Sequence, residues 1–256
     1  MIDPLTAPQI ELAGVTKSYK DRMVLDAISL RVEKGEFVTL IGASGCGKST
    51  VLKLISGLAA PGGGTVRVNG LSPKDARKTI SYIFQDATLL PWRTVRQNVD
   101  LGLELEGVNG NLRVETTEGL LRLVGLEHVA TAYPRELSGG MKMRVSIARA
   151  LATSPQLLLM DEPFAALDEM SRDRLNEELL RLRSEQNWTA VFVTHSVAEA
   201  VFLSTRIVVL APNPGRVHAE LPVPLAFPRT AALRETAEFE ALVSKVSHSL
   251  REALPC

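Results

Sequence analysis

Nine residues, GASGCGKST from Gly42 to Thr50, carry the chemistry that is easiest to name. Glycines at 42, 45 and 47 let a backbone curl with its N–H groups turned inward, which suits a polyphosphate. Lys48 supplies a cation for the β- and γ-phosphates, and Ser49 offers a hydroxyl to Mg²⁺. Ser44, Cys46 and Thr50 complete the loop that would wrap a nucleotide. Cys46 at a helix start has two readings, a thiol of lowered pKa or an incidental loop side chain, and the second is favoured.

Further along, four apolar residues at 157–160 end on Asp161 and Glu162. An acid at a strand end beside a phosphate loop can hold Mg²⁺, here through Asp161, and Glu162 is placed to polarise an attacking water. Alone, such a run would equally suit a plain buried strand; the loop upstream favours the chemistry. Gln85, Asp168 (in Ala166-Leu167-Asp168) and His195 each follow a predicted strand or the acid pair. A lone Gln, Asp or His is more often structural. Open α/β sheets nevertheless bind ligands at the carboxyl ends of their strands, where a histidine can hydrogen-bond a terminal phosphate. A second anion-seeking stretch, LSGGM at 137–141, places Ser138, Gly139 and Gly140 at the head of a helix, under the positive end of its dipole. One nucleotide pocket does not need two such loops.

These residues require a scaffold, and the hydrophobic pattern supplies it. Period-two alternation up to about 41 predicts short strands, the last of them running into the glycine loop. Helical spacing follows over 48–58, then strands at 65–68 and 80–84. From about 86 to 152 helical signals dominate, most firmly at 112–123 and 138–151, which predicts an inserted helical subdomain. Strands return at 157–160 and 190–194 around a charged helix at 170–186, and a last helix is expected over 233–253 with one apolar side packed on the main domain. The expected fold is α/β: a phosphate-loop NTPase core with a parallel sheet, an N-terminal antiparallel β subdomain and the helical insertion. Residues 1–230 form the nucleotide-binding domain in this reading, and 231–256 the packed C-terminal helix.

Bulk properties narrow the role. A chain of 256 residues with 45% hydrophobic and 23% charged residues suits one globular domain with subdomains. Zero net charge gives no basic surface for nucleic acid, so no nucleic-acid partner is expected. Two cysteines, Cys46 and Cys256, fit a reducing compartment. The first residues have no basic-then-apolar pattern, so no signal peptide is expected, and apolar runs fall far short of the roughly 20 residues needed to span a bilayer. His128, His218 and His248 lack metal-ligand spacing and are expected on the surface.

Taken together, the Gly42–Thr50 loop, LSGGM, the acid pair, Ala-Leu-Asp at 166–168 and His195 resemble the ATP-binding cassette ATPases over about 10–210. The family signature ends in Gln where this chain has Met141. The resemblance implies ATP and Mg²⁺ as cofactors, Tyr19 stacking on adenine, Gln85 sensing Mg²⁺ and water, Asp168 at a subunit boundary and His195 as a switch. It further implies a head-to-tail ATP-dependent dimer, in which Ser138, Gly139 and Gly140 cap the nucleotide of a second copy. The stretch DATLLPWRTVRQNV and the tail PNPGRVHAELPVPLAFPR are similar to the importer branch for nitrate, sulfonate, taurine and related solutes, including pyrimidine precursors. That branch implies integral-membrane permease subunits as partners, a solute-binding protein as an indirect partner, and peripheral attachment to the cytoplasmic face of the inner membrane. Leu89, Leu90, Pro91 and Trp92 would line the permease groove, the alternative being that Trp92 packs into the helical subdomain. The competing role is a soluble cassette ATPase acting on DNA or the ribosome. Such relatives carry a coiled-coil insertion, zinc-binding cysteines or two cassettes in one chain, and none is present here.

Overall fold

A computed structural model describes residues 7–165, 167–186 and 188–254. Its strands are β1 (Ile10–Tyr19), β2 (Arg22–Val32), β3 (Phe37–Gly42), β4 (Gly63–Val68), β5 (Ile80–Ile83), β6 (Leu157–Asp161), β7 (Thr189–Val193), β8 (Arg206–Ala211) and β9 (Arg216–Pro222). Its helices are α1 (Lys48–Ile55), α2 (Pro73–Ala76), α3 (Val95–Val99), α4 (Leu101–Leu105), α5 (Gly110–Leu123), α6 (Gly139–Leu151), α7 (Glu169–Gln186), α8 (Val197–Leu203) and α9 (Ala237–Glu252).

Two sheets divide the work. The smaller is antiparallel in the order β2-β1-β4, with Ile10, Leu12 and Val15 buried and Ala13 and Gly14 exposed. That alternation is what a sheet with one wet face requires. The larger runs β5-β6-β7-β3-β8-β9, with every pair parallel except β8 with β9. All five residues of β6 and of β7 are buried, because helices cover both faces of the parallel region. Phe37, Trp188, Phe192 and Phe164 pack together, with ring centroids 5.6 to 6.2 Å apart. Aromatic groups at this spacing fix how β3 and β7 lie side by side, and so where their loops emerge.

The structure departs from the sequence-based reading in several elements. The proline-spaced tail contains a strand, β9, which gives the otherwise parallel sheet an antiparallel edge. Prolines flank it: Pro214 precedes it and Pro222 is its last residue, where a missing N–H costs an edge strand little. The expected continuous helix over 233–253 is split. A 3-10 turn (Ala231–Glu235) ends at Thr236, whose hydroxyl accepts from Phe239 N at 3.3 Å and starts α9 afresh. Phe239 and Val246 on α9 are buried in the main core. Helix α1 stops at Ile55, not near 58, because Gly57 takes φ +75°. Ala166 and Cys256 lie outside the described residues.

Candidate active site at the carboxyl edge of the sheet

Parallel pairing sends the carboxyl ends of β3, β5, β6, β7 and β8 to one edge, so the strand order decides which loops meet. The glycine loop leaves β3. Its neighbour β7 delivers Thr194 and His195, the next strand β6 ends on Asp161 and leads into Glu162, and β5 beyond it leads into Gln85. Residues scattered over more than a hundred positions are thereby brought to one face.

The loop is built as its glycines require. Gly45 and Gly47 adopt φ +76° and +98°, and a Cβ at Gly47 would come within 2.4 Å of Leu25 Cδ2. A Cβ at Gly42 would meet the Leu210 carbonyl at 2.6 Å, so the strand can sit close to β8 only without a side chain there. Ser44 and Gly45 are exposed at the crest, and Thr50 is half-buried in the first turn of α1. Lys48 Nζ donates to the Gly42 and Ala43 carbonyls at 2.8 and 3.1 Å, which holds an almost buried ammonium against the curled backbone. Cys46 corrects one sequence-based option. Its side chain is fully buried among Leu25, Val51 and Leu210, and burial pushes the thiol up, not down. It is neither a reactive thiolate nor incidental; it anchors the loop to the core.

Asp161 is 6% exposed and accepts Ser49 Oγ at 2.8 Å on one oxygen and the Tyr82 hydroxyl at 3.4 Å on the other. Burial raises its pKa and outweighs the two hydrogen bonds, and the neighbouring Glu162 charge pushes the same way. A hydroxyl and a carboxylate that already meet form a hard all-oxygen donor pair, poorly neutralised by the protein itself, which fits Mg²⁺. Among the described residues no group of three His, Cys, Asp or Glu side chains forms a dedicated metal cage, as expected for an ion that keeps waters and phosphate oxygens. Glu162 follows in a left-handed turn at φ +49°, a conformation that costs a non-glycine residue about 1–2 kcal/mol. That turn points its carboxylate toward His195, with Oε2 3.5 Å from Nδ1. The imidazole is 67% exposed and open to a ligand.

Other expected site residues lie where their strands or helices end. Gln85 is exposed just past β5. Tyr19 is 46% exposed at the end of β1, with the Lys17 ammonium 5.0 Å from its ring centroid. Ser138 caps α6, accepting from Met141 N at 3.3 Å, and Gly139 has open space where a Cβ would stand. Asp168 accepts from Ser171 N at 2.9 Å and caps α7, a bond that also holds its carboxyl below the ordinary range. His128, His218 and His248 are exposed, as the sequence indicated. Trp92 is 71% exposed, which rejects its packing into the helical region; Pro91 is exposed and Leu89 and Leu90 are half-buried.

Three supporting residues escaped the sequence reading. Tyr82 braces Asp161, as described. Fully buried Asn98 donates to the carbonyls of Leu90, Arg93 and Thr94 and accepts from Leu90 N, so it staples the loop that displays Trp92. Arg149 on α6 donates to the Ala87 and Thr88 carbonyls, tying the loop after Gln85 to the helix that begins with LSGGM. No spacing in the sequence marks them, because Tyr82 and Arg149 act across tertiary contacts and Asn98 acts on the irregular loop that precedes it. A cavity of about 680 Å³ lies elsewhere, between the end of α7 and Phe227–Thr230. We place the chemistry at the strand ends despite that volume, since a phosphate-binding edge is an open surface completed by its ligand.

A family model described as ABC transporter matches residues 25–165, from within β2 to just beyond the acid pair. The chain belongs to the ABC transporter family. Relatives of this ABC ATPase agree over almost its whole length. The nitrate import ATP-binding protein NrtD of Synechocystis sp. is 43% identical over 90% of this chain and 88% of its own. The aliphatic sulfonates import ATP-binding protein SsuB of Bacillus subtilis is 44% identical over 92% of this chain and 90% of its own. Among solved structures, the ATP-binding cassette MJ0796, a dimer in a post-hydrolysis state with ADP and phosphate, superposes with a TM-score of 0.78 at 34% identity. That match covers 85% of this chain and all of the other.

Proposed function

We propose that this ABC ATPase is the hydrolytic subunit of an importer for a small anion, acting as a head-to-tail pair docked on separate permease chains at the cytoplasmic face of the membrane. The observation that carries the reading is the division of the two anion-seeking loops. Lys48, Ser49, Asp161, Glu162, Gln85 and His195 gather at the sheet edge, whereas Ser138 and Gly139 stand exposed at the head of α6, where the Ser138 hydroxyl accepts from Met141 N. A second copy related by a two-fold axis can place each LSGGM against the other's glycine loop, giving two equivalent sites from one sequence.

Each residue then has a physical task. Backbone N–H groups of Gly42 to Thr50 hold the phosphates of ATP, and Lys48 exchanges its two carbonyl partners for phosphate oxygens. Ser49, Asp161 and Gln85 would hold Mg²⁺, which when bound offsets charge on the phosphates. Glu162 accepts a proton from the attacking water, and His195, 3.5 Å away, hydrogen-bonds the terminal phosphate. Tyr19 stacks on adenine with its face opposite Lys17, a contact on the order of 1–3 kcal/mol by analogy with base stacking. Ser138, Gly139 and Gly140 of the second copy cap the terminal phosphate, and Asp168 lies at the boundary between the copies. ATP thus closes the pair and hydrolysis reopens it, a motion that a bound permease follows.

The importer assignment is supported by the relatives named for nitrate and aliphatic sulfonates, and by the exposed Pro91–Trp92 display that Asn98 fixes. Among the described residues no helix is long and apolar enough to cross a membrane. Nitrate and a sulfonate share negative charge and oxygen acceptors, which supports a small oxyanion as the solute. Co-expression with candidate permease and solute-binding proteins from the same genome tests the proposal. A detergent-stable complex with ATP-dependent anion uptake is expected; no association with any permease, together with co-purification of ribosomes or DNA, would overturn it.

A further inference from the structure

One buried carboxylate has no task in the site just described. Glu199, in the first turn of α8, is 5% exposed. Its Oε2 accepts the Thr194 hydroxyl at 2.5 Å, and its Oε1 pairs with Arg172 Nε at 3.3 Å. The Thr194 oxygen in turn accepts from Ser196 N at 3.0 Å, so Glu199 fastens both residues that flank His195. Arg172, in the first turn of α7, donates from Nη2 to the Leu167 carbonyl at 3.0 Å, beside Asp168. A continuous path therefore runs from Leu167 through Arg172, Glu199 and Thr194 to His195. At its other end the same two loops are joined where Glu162 N donates to the Val193 carbonyl at 3.0 Å. The result is a closed ring, with Glu162 and His195 facing each other across it.

Stability alone does not explain this arrangement. Glu199 is buried while the Arg172 side chain is 30% exposed, and an ion pair of this kind is often no better for stability than apolar side chains of the same volume, because the buried carboxylate must be stripped of water. What a guanidinium provides that an apolar group cannot is two contacts from one rigid plane, here a hydrogen bond to the Leu167 carbonyl from one nitrogen and an ionic contact with the Glu199 carboxylate from another. Arg234, the other cation near Glu199, is paired with Asp173 at 2.9 Å and so does not replace Arg172.

We propose that Arg172 and Glu199 act as a positioning brace, which transmits the seating of a second copy against Asp168 into the spacing between Glu162 and His195. The inference rests on the proposed reading, in which Asp168 faces the partner copy and Glu162 and His195 face the terminal phosphate. Neither brace residue touches ATP. Their loss displaces the Glu162–His195 pair while the glycine loop stays intact.

The test compares steady-state ATP turnover and fluorescent-ATP binding of the full chain with three variants, Arg172→Met, Glu199→Gln and Arg172→Lys. Misplacing reacting groups by about 1 Å can cost two orders of magnitude, so kcat is expected to fall at least about tenfold in the first two, with KM for ATP within about twofold. Arg172→Lys is the decisive variant if the others fold poorly. It keeps a cation for Glu199 and an unchanged melting temperature, but its single nitrogen cannot also hold Leu167, so kcat still falls several-fold. A merely structural pair would leave the kcat of Arg172→Lys at the wild-type value, and that result overturns the brace. Equal losses of ATP affinity and turnover in a folded variant overturn it as well. Glu162→Gln, measured in parallel, separates the two levels of argument. If it too keeps full turnover, the reading of the site has failed; if it is inactive while both Arg172 variants turn over normally, only the brace has failed.

Discussion

Replacing Asp161 by asparagine is expected to separate stability from activity, because the fold buries a carboxylate whose charge its neighbours neutralise poorly. Asparagine matches the volume and still accepts from Ser49, so the cavity and the 2.8 Å contact survive. What changes is the charge. Burial is the largest influence on the Asp161 pKa and raises it; the cation that opposes this, Lys53, is the weakest influence. The native state therefore disfavours the ionised form, which the unfolded chain carries freely above its own pKa of about 3.9. A raised carboxyl costs stability at neutral pH, and that cost fades as pH falls toward the carboxylate range, where both states are protonated. Removing the charge should stabilise the nucleotide-free chain by about 1 kcal/mol, the usual size for relief of one such site. For a chain of this length that is a rise of roughly 2–4 °C in melting temperature at pH 7. Turnover should fall about 10²–10³-fold, as when one electrostatic contact to a transition state is removed. Calorimetry at pH 7 and pH 4 with a phosphate-release assay reads both. A variant less stable than wild type at pH 7, or a gain that grows as pH falls, would refute the reasoning.

Three further outcomes follow from the same geometry. Glu162→Gln keeps ATP affinity within about twofold but loses nearly all turnover, as expected when a proton acceptor is removed and binding contacts stay; equilibrium binding and phosphate release check it. Gly47→Ala loses ATP binding and unfolds at lower temperature, since φ +98° and the 2.4 Å approach to Leu25 both forbid a Cβ; thermal melting with and without ATP measures this. Trp92→Ala leaves the ATPase rate of the isolated chain unchanged while weakening its association with the permease, read by pull-down of the detergent-solubilised complex; unaltered association would exclude that loop as the docking point.

How far the sequence reached can be judged residue by residue. Gly42–Thr50 and Asp161-Glu162 were legible because a phosphate loop and its acid strand use local spacing and period-two burial, both of which survive in one dimension. The small antiparallel sheet and the buried runs of β6 and β7 were legible for the same reason. Strand β9 was not, because its prolines at the borders mask a short alternating edge. The break at Thr236 was hidden because apolar residues on either side keep helical spacing across a cap. Tyr82 and Arg149 could not be found at all, since their partners lie on other elements and only the fold brings them within reach; Asn98 and Glu199 bond near neighbours, but in irregular loops that carry no periodic signal. Cys46 was read as an incidental loop side chain in preference to a thiol of lowered pKa; the structure buries it in the core, where desolvation raises the thiol.

The central claim is that LSGGM completes a site on a second copy. Sedimentation of the Glu162→Gln chain with and without ATP, repeated after adding Ser138→Arg, tests it most directly. The account predicts an ATP-dependent dimer for the single variant and a monomer for the double variant, with monomer affinity for ATP unchanged. A double variant that still dimerises with ATP, or one that loses ATP affinity as fully as Lys48→Ala, would show that the second loop serves its own chain.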